Sequence, residues 1–173
     1  MINIVLYQPE IPTNTGNIVR SCLATGAKLH IIKPISFDLH PKWFKRAGAG
    51  RLLSDIEHEV HESYEAFRES YGDKKIFYVT RYGQHNYSEA PFKKESEKNG
   101  EVWLMFGRES TGIPKEIMQD SLDTCLRIPM VPKERSLNLA TTVMLLSYEV
   151  HRQTGFYGLS EYEVQKGKDF IEQ

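Results

Sequence analysis

The stretch INIVLYQPEIPTNTGNIVRSC, residues 2–22, contains the alternation that decides the fold. Its first six residues are apolar except for Asn3, a run too short for a helix and apolar on both faces, as suits a strand covered on two sides. QPEIPT then interrupts the chain with two prolines. From there Ile18, Val19, Cys22 and Leu23 recur at helical spacing, with Asn14 expected as the cap and Gly26 as the stop. Asn17, Arg20, Ser21 and Ala24 fall on the opposite face. Asn17 and Arg20 are therefore expected to project together near the carboxyl end of the first strand, the edge of an open α/β sheet where ligands bind.

The same alternation runs outward along the chain. Segments 29–32, 75–80, 101–106 and 125–130 read as further short buried strands, rich in Val, Ile, Phe, Tyr and Trp. Segments 14–25, 41–47, 63–70, 114–119 and 136–153 read as helices. Strand and helix in turn predict an α/β class with a mainly parallel sheet and helices on both faces. FKKESEKNG, 92–100, reads as a charged surface loop. One domain over 1–155 and a polar, loosely held tail over 156–173 complete the expected organisation.

Composition narrows the function. Of 173 residues, 40% are hydrophobic and 26% charged, as in a soluble globular domain large enough to bury a core. No apolar run approaches the ~20 residues of a membrane span, and no signal peptide is evident, so a cytoplasmic protein is expected. Cys22 and Cys125 then read as reduced thiols. The six histidines are scattered and no residue cluster has metal-ligand spacing, so no metal is expected. Neither a phosphate-binding Gly-Lys-Ser/Thr loop nor a nucleophile elbow occurs, which weighs against kinases and hydrolases. The net charge of −1 argues against nonspecific coating of nucleic acid. Even so, PKWFKRAGAGR, 41–51, concentrates Lys42, Lys45, Arg46 and Arg51 around Trp43 and Phe44, a pattern that suits phosphates and unpaired bases as well as a plain surface helix. Gly48 and Gly50 lack the third glycine of a dinucleotide fingerprint, since Leu53 stands there.

Two further stretches resist a purely structural reading. LMFGRESTGIP, 104–114, ends a buried strand on Gly107, a position where a ligand can approach the backbone closely, and places Glu109 to cap exposed amides or bond a ligand. RIPMVPKERSLNLATTVMLLSYEV, 127–150, locks a loop with Pro129 and Pro132 and opens a helix near Ser136 and Asn138. That helix carries one apolar stripe of Leu139, Val143, Leu146 and Val150 and a second of Ala140, Met144 and Ser147. The surface is broader than one sheet face requires, and a subunit interface would account for it. Thr141, Leu145, Tyr148 and Arg152 line the remaining face.

NTGNIVR, LMFGRESTG and RIPMVPKERSLNLA, in this order and spacing, resemble the three motifs of the SPOUT RNA methyltransferases. The resemblance covers essentially the whole chain. It is nearest to the minimal members that methylate the ribose 2′-hydroxyl of the tRNA wobble nucleotide, cytidine or uridine 34. It implies a C-terminal trefoil knot, which periodicity alone would never suggest, and a homodimer that doubles the basic patch. It implies S-adenosyl-L-methionine held by Val79, Thr80, Gly107, Glu109, Ile128, Met130, Ser136, Leu137 and Asn138. Arg20 is implied to act on the 2′-hydroxyl, with Asn14, Asn17 and Tyr148 beside it and no metal required. A guanidinium keeps its proton, so Arg20 either stabilises the developing alkoxide or passes a proton to a substrate phosphate. Lys42, Lys45, Arg46, Arg51 and Arg152 are the expected contacts to tRNA. Where many relatives carry proline after the motif glycine, this chain has Arg108. Three alternatives stay open: a methyltransferase of the same fold acting at another tRNA or rRNA position or on a base, a catalytically inactive RNA-binding module of this fold, and a doubly wound nucleotide-binding protein.

Overall fold

β1 (Ile2–Tyr7) is buried at every position and pairs in parallel with β2 (Lys28–Ile32) on one side and β6 (Val102–Phe106) on the other. The computed structural model describes residues 1–48 and 50–172, without the side chains of Trp43 and Ala47, so the expected stacking role of Trp43 lies outside the described residues. Five further strands flank this pair: β3 (His58–His61), β4 (Ile76–Val79), β5 (His85–Asn86), β6 and β7 (Cys125–Arg127). The order is β3-β2-β1-β6-β4-β7-β5, and every pairing is parallel. From β1 the chain winds outward to β2 and β3, then crosses to the other half. The carboxyl ends of β1 and β6 thus flank a topological switch point, where a crevice forms.

Because successive side chains alternate, each strand feeds two cores. Ile4, Leu6, Leu29, Ile31, Leu104 and Phe106 pack on one face against α1 (Pro12–Thr25), α2 (Pro41–Ala47), α4 (Phe92–Asn99) and α6 (Leu139–Thr154). Val5, Tyr7, Ile32, Trp103 and Met105 pack on the other against α3 (Tyr64–Tyr71) and α5 (Lys115–Met118). The α/β class with helices on both faces is therefore observed.

Several expectations are corrected. Segment 92–100 is the helix α4, not a loop: Phe92 is buried and Gly100 ends it in the left-handed region, so one apolar anchor suffices for a charged helix. β3 and β5 were not expected; both are short and lie at the sheet's edges, where little burial marks them. α1 starts at Pro12, whose fixed φ suits a first turn, with Ile11 rather than Asn14 as its cap. Leu23 is exposed and Ser21 buried, the reverse of the expected stripe, because Ser21 hides its hydroxyl on the Asn17 carbonyl. α6 opens at Leu139 with Asn138 as its cap, so Ser136 lies in the preceding loop. The second stripe of α6 is used within the chain, since Ala140 and Ser147 are buried and α6 packs on α1, α4, β1 and β6. The apolar breadth of this helix therefore no longer calls for a second subunit. Both cysteines are free and buried.

Candidate active site

Three distant segments meet at the switch point through one polar relay. Glu109, in the loop after β6, accepts from the Glu10 amide (2.8 Å), the Ile11 amide (3.1 Å) and Asn14 Nδ2 (3.2 Å). Asn14 Oδ1 accepts from Asn138 Nδ2 at 2.9 Å, and Asn138 Oδ1 accepts from the Thr141 amide at 3.2 Å. The carboxylate has no proton to give, so it fixes which end of Asn14 faces it, and Asn14 fixes Asn138 in turn. Asn14, displaced from the capping role, is buried in the first turn of α1 as the middle link. Glu10 returns the tie by accepting from the Ser110 amide (2.9 Å) and hydroxyl (2.8 Å), bonds that hold its carboxyl below the usual carboxylate range.

The relay closes one wall of a cleft of about 630 Å³. Its lining includes every residue expected to hold a cofactor: Val79 and Thr80 after β4, Gly107 and Glu109 after β6, Ile128 and Met130 after β7, and Ser136, Leu137 and Asn138 before α6. A Cβ at Gly107 would come within 2.2 Å of the Gly112 carbonyl carbon, so this cleft-lining glycine also admits the chain's own returning loop. That loop closes through paired amide–carbonyl bonds between Arg108 and Gly112 (2.9 and 3.2 Å), with Gly112 at φ +74°.

A match to the SpoU rRNA Methylase family spans residues 1–148. The chain belongs to that family. It is 42% identical over 159 residues to a Methylovorus glucosotrophus protein named tRNA (cytidine(34)-2′-O)-methyltransferase, covering 91% of this chain and 99% of that one. An Escherichia coli protein of the same name is 41% identical over 91% of this chain and 97% of its own length. Among solved structures, a chain from a study of the 2-OH methylation of C/U34 on tRNA matches with a TM-score of 0.78 and 37% identity, over 90% of this chain and 91% of that one. A Bacillus anthracis chain matches with a TM-score of 0.85 and 41% identity, over 95% of this chain and all of that one.

The other residues expected of a SpoU methylase site lie outside the cleft lining. Asn17 and Arg20 are exposed on α1, and Arg20 has no hydrogen bond or ion pair among the described residues. Arg20 lies six residues beyond Asn14, about 9 Å along the axis. Tyr148 on α6 is 41% exposed. Arg152 is committed elsewhere: both its Nε and a terminal nitrogen donate to Glu149 at 2.8 Å. Lys42, Lys45, Arg46 and Arg51 are exposed on and after α2, whose first turn is capped by His40. Arg81, Tyr82, Ser110 and Thr142 line the cleft without having been expected there. For Arg81 and Tyr82 the sequence signal was the glycine of VTRYGQ, for a Cβ at Gly83 would meet the β7 backbone at 2.5 Å.

The histidines are less scattered than the sequence implies. His30 Nδ1 and His61 Nε2 lie 3.1 Å apart beneath α3, and Glu59 completes a group whose ligand atoms fall within 4.8 Å of one another. Lys28 sits 2.6 Å from that carboxylate and Tyr71 donates to it as well, so Glu59 is already held by two side chains of its own network.

Proposed function

We propose that this protein transfers a methyl group from S-adenosyl-L-methionine to the ribose 2′-hydroxyl of the wobble nucleotide, cytidine or uridine 34, in the anticodon loop of tRNA. The observation that carries the reading is the convergence of all three motif segments on one cleft through the Glu109–Asn14–Asn138 relay. The near full-length similarity to relatives named for this reaction supports the target.

The cleft suits the cofactor in size and chemistry. A nucleoside-sized ligand fits about 630 Å³. Val79, Ile128, Met130 and Leu137 offer apolar contact to a flat base, while the strand-end and proline-loop backbones offer amides and carbonyls. A structure of this fold from Sinorhizobium meliloti, an rRNA methyltransferase, has AdoMet bound. When bound, the cofactor supplies an electrophilic methyl on a sulfonium. As the hydroxyl oxygen takes the methyl from sulfur it would gain negative charge, its proton passing to a substrate phosphate or to water. Arg20 lowers the cost of that charge, as stabiliser of the alkoxide or as relay to a phosphate. Asn14, Asn17 and Tyr148 orient the sugar. A C-terminal trefoil knot belongs to the same reading. The enzyme acts in the cytoplasm as a homodimer, bringing two α2 patches to one tRNA.

The test is incubation with labelled cofactor and total tRNA, followed by mapping of the modified nucleotide by mass spectrometry. A 2′-O-methyl group at position 34 is expected. Label at another tRNA position overturns the target, and no label in tRNA overturns the proposed activity.

A further inference from the structure

Tyr82 stands on the rim of the cleft with 70% of its surface exposed. The turn that displays it is stiff. The Gly83 amide donates to the Thr80 carbonyl at 3.2 Å, the Tyr82 amide approaches Thr80 Oγ1 at 3.3 Å, and the Arg127 guanidinium bonds the Arg81 carbonyl. Gly83 presses the turn against the β7 backbone. The Arg81 guanidinium lies 4.7 Å from the centre of the Tyr82 ring and also bonds its phenol oxygen. One ring face is thus covered by a cation, and the exposure leaves the other open. A rigid aromatic face loses little entropy on contact, unlike a long flexible side chain.

We infer that Tyr82 is a stacking platform for an unpaired RNA base next to the target nucleotide, with Arg81 and Arg127 meeting the adjoining phosphates. The inference rests on the RNA methyltransferase reading. Stacking suits any base, because every base has a π-face, and a guanidinium behind the ring strengthens it. The cofactor's adenine presents a similar face. The cleft already offers it Val79, Ile128, Met130 and Leu137, whereas Tyr82, lining the same cleft, is far more exposed than any of them.

The test compares wild type, Tyr82→Phe and Tyr82→Ala for binding to tRNA and, separately, to S-adenosylhomocysteine. A second measurement scans 2-aminopurine through the loop of an anticodon stem-loop RNA and reads its quenching. Tyr82→Ala is expected to weaken RNA binding by roughly tenfold, with an unchanged salt slope because no charge is lost. Tyr82→Phe is expected to bind like wild type. Quenching at one loop position is expected in wild type and Tyr82→Phe and not in Tyr82→Ala. Unchanged RNA affinity in Tyr82→Ala overturns the inference, as does an equal loss in Tyr82→Phe. A loss confined to S-adenosylhomocysteine moves the ring to the adenine and also overturns it. If wild type methylates tRNA while Tyr82→Ala binds as tightly, the platform alone falls. If wild type neither binds nor methylates tRNA, the underlying function falls with it.

Discussion

Glu109 is the residue on which the candidate site turns, since its two oxygens serve three donors from the opposite loop and α1. Glu109→Gln exchanges one acceptor for a donor and sets it against an amide that is itself a donor. A cost of about 1–3 kcal/mol is expected, the range for leaving such groups unpaired. It is checked as a lowered urea midpoint together with weaker S-adenosylhomocysteine binding. A normal midpoint with normal binding would show the relay to be incidental. Arg20 makes the opposite case, because its guanidinium has no hydrogen bond or ion pair among the described residues. Arg20→Ala is expected to leave stability and cofactor affinity near wild type and to abolish methyl transfer. Parallel loss of cofactor affinity, measured by calorimetry, would mark it as structural. Glu109 was legible as a capping or ligand-bonding group, because a carboxylate two residues past a strand-end glycine has amides to serve. The burial of Asn14 was not, because the same residue type caps helices, and only the distant Glu109 and Asn138 decide between the roles.

At the scale of elements, periodicity located the buried strands and long helices because their apolar spacing is complete, as in β1 and β6. It failed where one residue does the anchoring. α4 is held by Phe92, and its Lys and Glu residues conceal the helix. β3 and β5 take their identity from neighbouring strands, which no local window contains. α2 carries the element-level prediction. Its last turn offers Lys45 and Arg46 to solvent, and Phe44, at 1% exposure, fastens it to the core. Lys45→Glu with Arg46→Glu leaves that anchor intact and is expected to weaken tRNA binding severalfold. The slope of log affinity against log salt should fall by about two per subunit, as two phosphate contacts are lost. An unchanged slope would remove α2 from the RNA path. Arg152, bound to Glu149 on its own helix, is expected to matter far less in the same assay.

Across the whole molecule, the two sheet faces divide the work. The ends of β1, β4, β6 and β7 form the cleft, while the α3 face buries a polar network remote from it, joining Lys28, Glu59, Tyr71, His61, His30 and Asn3. That network was invisible in the sequence because His30 and His61 are thirty-one residues apart and meet only through the β2–β3 pairing. It makes stability depend on pH. Burial pushes the His30 imidazole down from 6.5 to about 4, outweighing the opposite pull of Glu59, and burial lowers His61 as well. Between those two values the unfolded chain binds a proton that the folded chain refuses, so stability is full above about pH 6.5 and declines toward about pH 4. The loss from His30 is about 3 kcal/mol if the shift is realised in full. Glu59, Glu101 and Glu149, whose values are lowered, add their losses only below the ordinary carboxylate value of 4.5. Urea midpoints taken across the interval above 4.5 therefore isolate the histidines. His30→Leu, unstable overall because it takes away the imidazole contacts of Asn3 Oδ1 and His61 Nε2, is expected to flatten the pH dependence there. An equally steep dependence in that variant would assign the acid sensitivity to other groups.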